Sequence, residues 1–109
     1  MALEGTWEAA VQRLRSEPDQ QALVRACYFD DPLEEAAQRF AASDEWRAVL
    51  PLLPAAPGEA LDLGAGRGIS SYALARAGWK VAALEPEPSA LVGAAAVRAL
   101  AGQTQLPIT

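Results

Sequence analysis

Ala60-Leu61-Asp62-Leu63-Gly64-Ala65-Gly66-Arg67-Gly68-Ile69, "ALDLGAGRGI", places three glycines in five positions behind a short apolar run that carries one aspartate. Glycine inside regular structure costs about 0.5–1 kcal/mol relative to alanine, so this spacing predicts a backbone that turns hard or approaches something closely. A strand feeding such a turn and then a helix gathers free backbone N–H groups and the positive end of the helix dipole around one point. That point suits an anion or a polar ligand tail.

The residues on either side support this reading. Glu59–Leu63 is short and apolar, compatible with a buried parallel strand. Ile69, Tyr72, Ala73 and Arg76 recur at helical intervals, predicting a helix over 69–77 that stops at Gly78. Lys80–Leu84 is a second apolar run, closed by Glu85-Pro86. Ser89 is then placed to cap an alanine-rich helix containing Leu91, Val92, Ala95 and Leu100 and ending at Gly102, and "QLPIT" reads as the approach to a third strand. In a right-handed β-α-β unit adjacent strand ends are neighbours, so Glu85 is expected to face the same crevice as the glycine loop. A carboxylate there can accept both hydroxyls of a ribose. The plain alternative is a tight turn, with Glu85 capping something or facing solvent.

Two positions separate the nucleoside ligands. The dinucleotide pattern G-x-G-x-x-G requires glycine at 69, where this chain has Ile69, and Asp62 lies two residues before the first glycine. A carboxylate there repels a pyrophosphate but suits an ammonium group. The pattern fits an adenosyl ligand bearing an amino acid.

With these residues, the stretch from about 30 to 109 resembles the N-terminal part of a class I S-adenosylmethionine-dependent methyltransferase, "DLGAGRG" being among that family's more specific motifs. The resemblance implies an α/β fold: the first two strands and the start of a third of a Rossmann-like doubly wound parallel sheet, preceded by a helical segment. It implies S-adenosyl-L-methionine as cofactor, with Gly64, Ala65, Gly66 and Gly68 passing close to the methionine portion. Asp62 is similar to the acid that receives the amino group and Glu85 to the acid that binds the ribose hydroxyls, while "Ala83-Leu84-Glu85-Pro86" resembles the family's second-strand end. Arg39 is assigned to the methionine carboxylate, with a solvated helix residue as its other reading, and Tyr28 to closure over the ligand. Such enzymes carry a seven-stranded sheet, so the 109 residues read as a fragment of a larger enzyme. The expectation is poor cofactor binding and no catalysis alone, with the catalytic residues and the methyl acceptor lying beyond this sequence. A small-molecule acceptor is the default.

The first half reads as helices. Thr6 is placed to cap a helix with Trp7, Ala10, Val11 and Leu14 on one face, running to about Ser16. Ser16-Glu17-Pro18 opens another, through Leu23 and Ala26 to near Tyr28. Asp31-Pro32-Leu33-Glu34 reads as an N-cap, a proline at the first helical position and a capping-box glutamate, ahead of an apolar face of Leu33, Ala36, Ala37 and Phe40. Ser43 opens a fourth helix that Pro51 ends. The three prolines and one glycine of "PLLPAAPGE" make the best boundary, giving a helical segment 1–53, a linker 54–58 and the ligand-binding part 59–109.

Composition narrows the chemistry. The chain contains no histidine, which removes Ser-His-Asp catalysis and His-containing metal sites, and no metal is expected. The single cysteine, Cys27, agrees with a reducing compartment and reads as a buried structural residue. Trp7, Trp46 and Trp79 are assigned to core packing rather than to stacking on adenine. Net charge is −5, with ten acids and five arginines in 1–58 against four acids and four basic residues in 59–109. No basic stripe suits nucleic acid and no apolar run suits a membrane, so a cytoplasmic protein is expected. A parallel sheet with an open edge and an apolar face predicts self-association. Two other functions compete: a nicotinamide-dependent oxidoreductase, disfavoured by Ile69 and Asp62, and a non-catalytic helical interaction module.

Overall fold

The computed structural model describes residues 5–109. Among them, six α-helices accompany a two-stranded parallel sheet: α1 (Trp7–Ser16), α2 (Gln21–Ala26), α3 (Leu33–Ala41), α4 (Asp44–Val49), β1 (Glu59–Leu63), α5 (Ile69–Arg76), β2 (Lys80–Leu84) and α6 (Ala94–Thr104). The fold is mixed α/β. Strand register runs from Glu59 opposite Lys80 to Leu63 opposite Leu84. On the far edge of β2, Ile108 forms a parallel bridge to Val81, Thr109 N donates to Val81 O (2.9 Å) and Ala83 N to Thr109 O (2.8 Å). The expected third strand therefore begins there, next to β2. The other edge of β1 pairs with no described strand.

Local side-chain caps start two of these six α-helices. Thr6 and Ser43 have extended backbones, and their hydroxyls accept from Ala9 N and Trp46 N, each at 3.1 Å. Pro18 and Pro51 lie in short 3-10 turns, Pro18–Gln20 and Leu50–Leu52, where a missing N–H is tolerated. Two expected caps differ. Asp31 does not cap α3: the helix starts at Leu33 with Pro32 at the cap position, because two arginines hold the Asp31 carboxylate. Ser89 does accept from Leu91 N (2.9 Å) and Val92 N (3.2 Å), but these close a turn, and α6 starts only at Ala94 and runs past Gly102. The delay comes from Gly93, whose N–H donates to Ser89 O (2.9 Å) while Ala94 N donates to Glu87 O (2.7 Å).

The linker separates the segments in sequence, yet both sides of it share cores. Ala37 of α3 packs with Tyr72 of α5 and Leu100 of α6, and Phe40 and Trp46 pack with Ala73. A third cluster joins Ala75, Trp79, Val81, Val97 and Ile108, closing the inward face of the sheet. Trp46 and Trp79 are buried as expected. Trp7 is not: it is 56% exposed, its ring edge-on to Phe29 at 5.7 Å, because only Val11 of the α1 stripe reaches the interior. Cys27 is also exposed rather than buried, since α2 ends just before it and only Val24 of that helix is buried.

Candidate functional site

The glycine loop joins the C-terminal end of β1 to the N-terminus of α5. Gly64, Gly66 and Gly68 all take left-handed backbones (φ +71°, +58° and +89°), which answers why glycine recurs there. A Cβ at Gly64 or Gly66 would meet nothing within 4 Å, so the outer side of the loop is open to an approaching molecule. Beneath it, the Asp62 carboxylate accepts from the fully buried Ser71 hydroxyl at 2.7 Å. Glu85, at the end of β2, reaches the loop as parallel pairing requires. Its Oε1 accepts from Gly66 N (2.8 Å) and its Oε2 from Glu87 N (2.9 Å).

The expectation of free N–H groups in the loop holds in part. Gly64 N (2.8 Å) and Ala65 N (3.2 Å) both donate to Leu84 O, Gly66 N to Glu85, and Gly68 N to Ala65 O (2.9 Å), while the N–H groups of Arg67, Ile69 and Ser70 have no acceptor among the described residues. What faces the crevice is acceptor capacity, since an ionised carboxylate offers about four lone-pair sites and each of Asp62 and Glu85 uses only part of its own. Pro86 lies between Glu85 and Glu87, within the short turn that the Glu85 carboxylate closes on Glu87 N.

Arg67, the residue between Gly66 and Gly68, carries a role that sequence reasoning missed. Its side chain is 4% exposed and reaches back to the helical segment, donating through Nη1 to Tyr28 O (2.8 Å) and Asp30 O (3.0 Å) and through Nη2 to Asp31 Oδ1 (2.6 Å). Arg15 pairs with the other oxygen of Asp31. Arg67 Nε and Arg15 Nη1 are buried without a hydrogen-bond partner. The available signal was the adjacent acid pair Asp30-Asp31 beside a cation inside a glycine loop. Burial weakens the Arg67 guanidinium's hold on its proton, which the bond to Asp31 only partly offsets.

Arg39 and Tyr28 lie together beside this junction. Arg39 grips both oxygens of Asp30 (3.0 and 2.6 Å) and donates to Arg25 O (2.8 Å), with its guanidinium 5.1 Å from the centre of the Tyr28 ring. Tyr28 itself has a left-handed backbone (φ +60°) and packs edge-on against Phe40. The structure thus joins Asp62, the glycines and Glu85 in one place, and Arg39 and Tyr28 in another linked to it by Arg67.

The junction gives a pH dependence. Burial pushes the Asp30 and Asp31 carboxyls up, but Arg39 on the first and Arg15 and Arg67 on the second outweigh it, and both sit below the ordinary carboxylate range. Depressed folded values mean that the unfolded chain binds these protons first, so the stabilisation is present above about pH 4 and is lost as pH falls through the folded values. Thermal melts from pH 6 to pH 2.5 should show a steep loss of stability at the acid end, with a shallower slope for Asp30→Asn. An equal slope in that variant would exclude Asp30 from acid unfolding.

No family model matches this chain, and neither a curated protein nor a solved structure matches it. Among the described residues there is no helix long and apolar enough to cross a membrane and no cluster of His, Cys, Asp or Glu able to hold a metal ion.

Proposed function

We propose that the chain binds S-adenosylmethionine, as the N-terminal, cofactor-binding part of a Rossmann-like methyltransferase whose acceptor is a small molecule. The observation that carries this reading is the pairing of an open glycine loop with two carboxylates, Asp62 behind it and Glu85 on the neighbouring strand end. Such a crevice accepts hydrogen bonds and positive charge. It therefore favours ribose hydroxyls and an ammonium over a pyrophosphate, which would meet the charge of Asp62 and Glu85.

The spare lone pairs of Glu85 would take the ribose hydroxyls while Gly66 N holds the carboxylate still. Asp62, oriented by Ser71, would take the amino group. Gly64 and Gly66 let the backbone come close, because neither carries a side chain on the open side. The cofactor, when bound, supplies an electrophilic methyl on a sulfonium. The contribution of these residues is positioning, which governs much of the rate of a group transfer.

The test is a titration of the isotopically labelled 109-residue chain with S-adenosylhomocysteine, followed by amide NMR so that weak binding is visible. Shifts should concentrate at Gly64, Gly66, Gly68 and Glu85, with NAD producing none. Glu85→Gln keeps an oxygen for Gly66 N but loses the charge, and should weaken binding about tenfold, the equivalent of ~1.4 kcal/mol. Absence of loop shifts with S-adenosylhomocysteine would remove the cofactor reading and favour the interaction module.

A further inference from the structure

We propose that Arg67 is a positioning residue through which the helical segment sets the ligand affinity of the glycine loop, so that docking of residues 28–31 and occupation of the loop strengthen each other. This rests on the cofactor reading and names what regulates that site.

Three glycines with left-handed backbones leave the loop many ways to move, and a ligand that binds a moving loop must order it first. The start of the loop is held by the sheet, since Gly64 N and Ala65 N donate to Leu84 O. The tip is held differently. Gly66 N donates to Glu85 Oε1 (2.8 Å), and Arg67, the one residue of 64–68 with a side chain longer than a methyl group, sends its guanidinium out of the loop to Tyr28 O (2.8 Å), Asp30 O (3.0 Å) and Asp31 Oδ1 (2.6 Å). A guanidinium released from these acceptors frees the Gly66–Arg67 backbone. With it goes the bond that steadies Glu85, the carboxylate assigned to the ribose.

The far end of the connection depends on Arg67 in turn. Tyr28 is a non-glycine residue at φ +60°, a conformation that persists where the surroundings hold it. Arg67 holds its carbonyl, while Phe40 and Arg39 hold its ring. Asp31 is half exposed, and among the described residues its carboxylate is bound by Arg15 and Arg67. Residues 28–31 therefore have two arrangements: docked, with three acceptors on Arg67, or released, with water at those acceptors and the Tyr28 backbone relaxed. A ligand that orders the loop favours the docked arrangement. By linkage, docking raises the affinity for the ligand by the same factor.

Amide NMR of the 109-residue chain tests this in two arms, with Asp31→Ala as the main variant because Asp31 is half exposed and bonds to neither the loop backbone nor Glu85. Without ligand, Asp31→Ala should speed hydrogen exchange at Gly66 about tenfold through local opening. A role in global stability alone would instead speed the sheet amide of Val81, which donates to Pro107 O, and leave Gly66 unchanged. In titrations with S-adenosylhomocysteine, Asp31→Ala should raise the dissociation constant about tenfold, the equivalent of ~1.4 kcal/mol. Arg67→Met should raise it at least as far, and the double variant no further than Arg67→Met, since both act through one guanidinium. If Arg67→Met fails to fold, the Asp31→Ala arms decide. Unchanged Gly66 exchange, or a parent chain that binds while Asp31→Ala binds equally well, would overturn the coupling and leave the cofactor reading standing. Additive losses would overturn it too, by placing Asp31 against the ligand itself. A parent chain without loop shifts would remove the cofactor reading, and this inference with it.

Discussion

Gly93→Ala should lower the stability of the chain by on the order of 3 kcal/mol or more, the range of a backbone clash that the structure cannot relieve locally. The backbone at Gly93 is extended (φ −140°), so the cost does not come from a conformation closed to alanine. It comes from space: a Cβ there would lie 2.1 Å from Glu87 O, 2.7 Å from Glu87 C and 2.9 Å from Ser89 N. All three are backbone atoms, and Glu87 O is also the acceptor for Ala94 N at 2.7 Å. Moving them away breaks the start of α6 and pulls Glu87 N from Glu85, loosening the glycine loop as well. Urea unfolding followed by the fluorescence of buried Trp46 and Trp79 measures the loss. A midpoint equal to that of the parent chain would refute this packing of residues 87–93.

Arg67→Met should cost about 2–4 kcal/mol, because methionine fills much of the same apolar volume but leaves the carbonyls of Tyr28 and Asp30 without their donor and Asp31 without one of its two cations. Asp31 is half exposed and retains Arg15, which keeps the figure below that of a fully buried broken pair. Arg67→Lys keeps the charge and loses the planar fork that reaches three acceptors, so it should fall between the two. The same urea titration reads both variants. Unchanged midpoints would mean that the helical segment holds its place against the loop without Arg67.

Much of this architecture is legible in the residues because local rules act alone there. Glu59–Leu63 and Lys80–Leu84 fall where short apolar runs predict strands, and the alternation of Gly64, Gly66 and Gly68 corresponds to three left-handed backbones. The proximity of Glu85 to the loop follows from parallel pairing. The reading fails where a distant partner competes with a local one. Asp31 has the position and chemistry of a cap, but two guanidiniums bind its carboxylate more strongly than helix N–H groups do. The N–H groups of Gly64, Ala65 and Gly66, expected to be free, are taken by Leu84 O and Glu85, which no count of glycines reveals. Trp7 belongs to an apolar stripe by spacing, yet the stripe meets the core at Val11 alone.

The reach of Arg67 also orders events in time. Its three acceptors lie 36 to 39 residues earlier in the chain, so each of these bonds closes a long loop whose entropy must be lost before the bond forms. Helices α5 and α6 can form early from neighbours in sequence. The bonds that anchor the glycine loop to the helical segment must wait until α2 and α3 have docked. The glycine loop is thus anchored late on the folding route, and its anchorage to the helical segment is the step most sensitive to anything that delays docking of the first half.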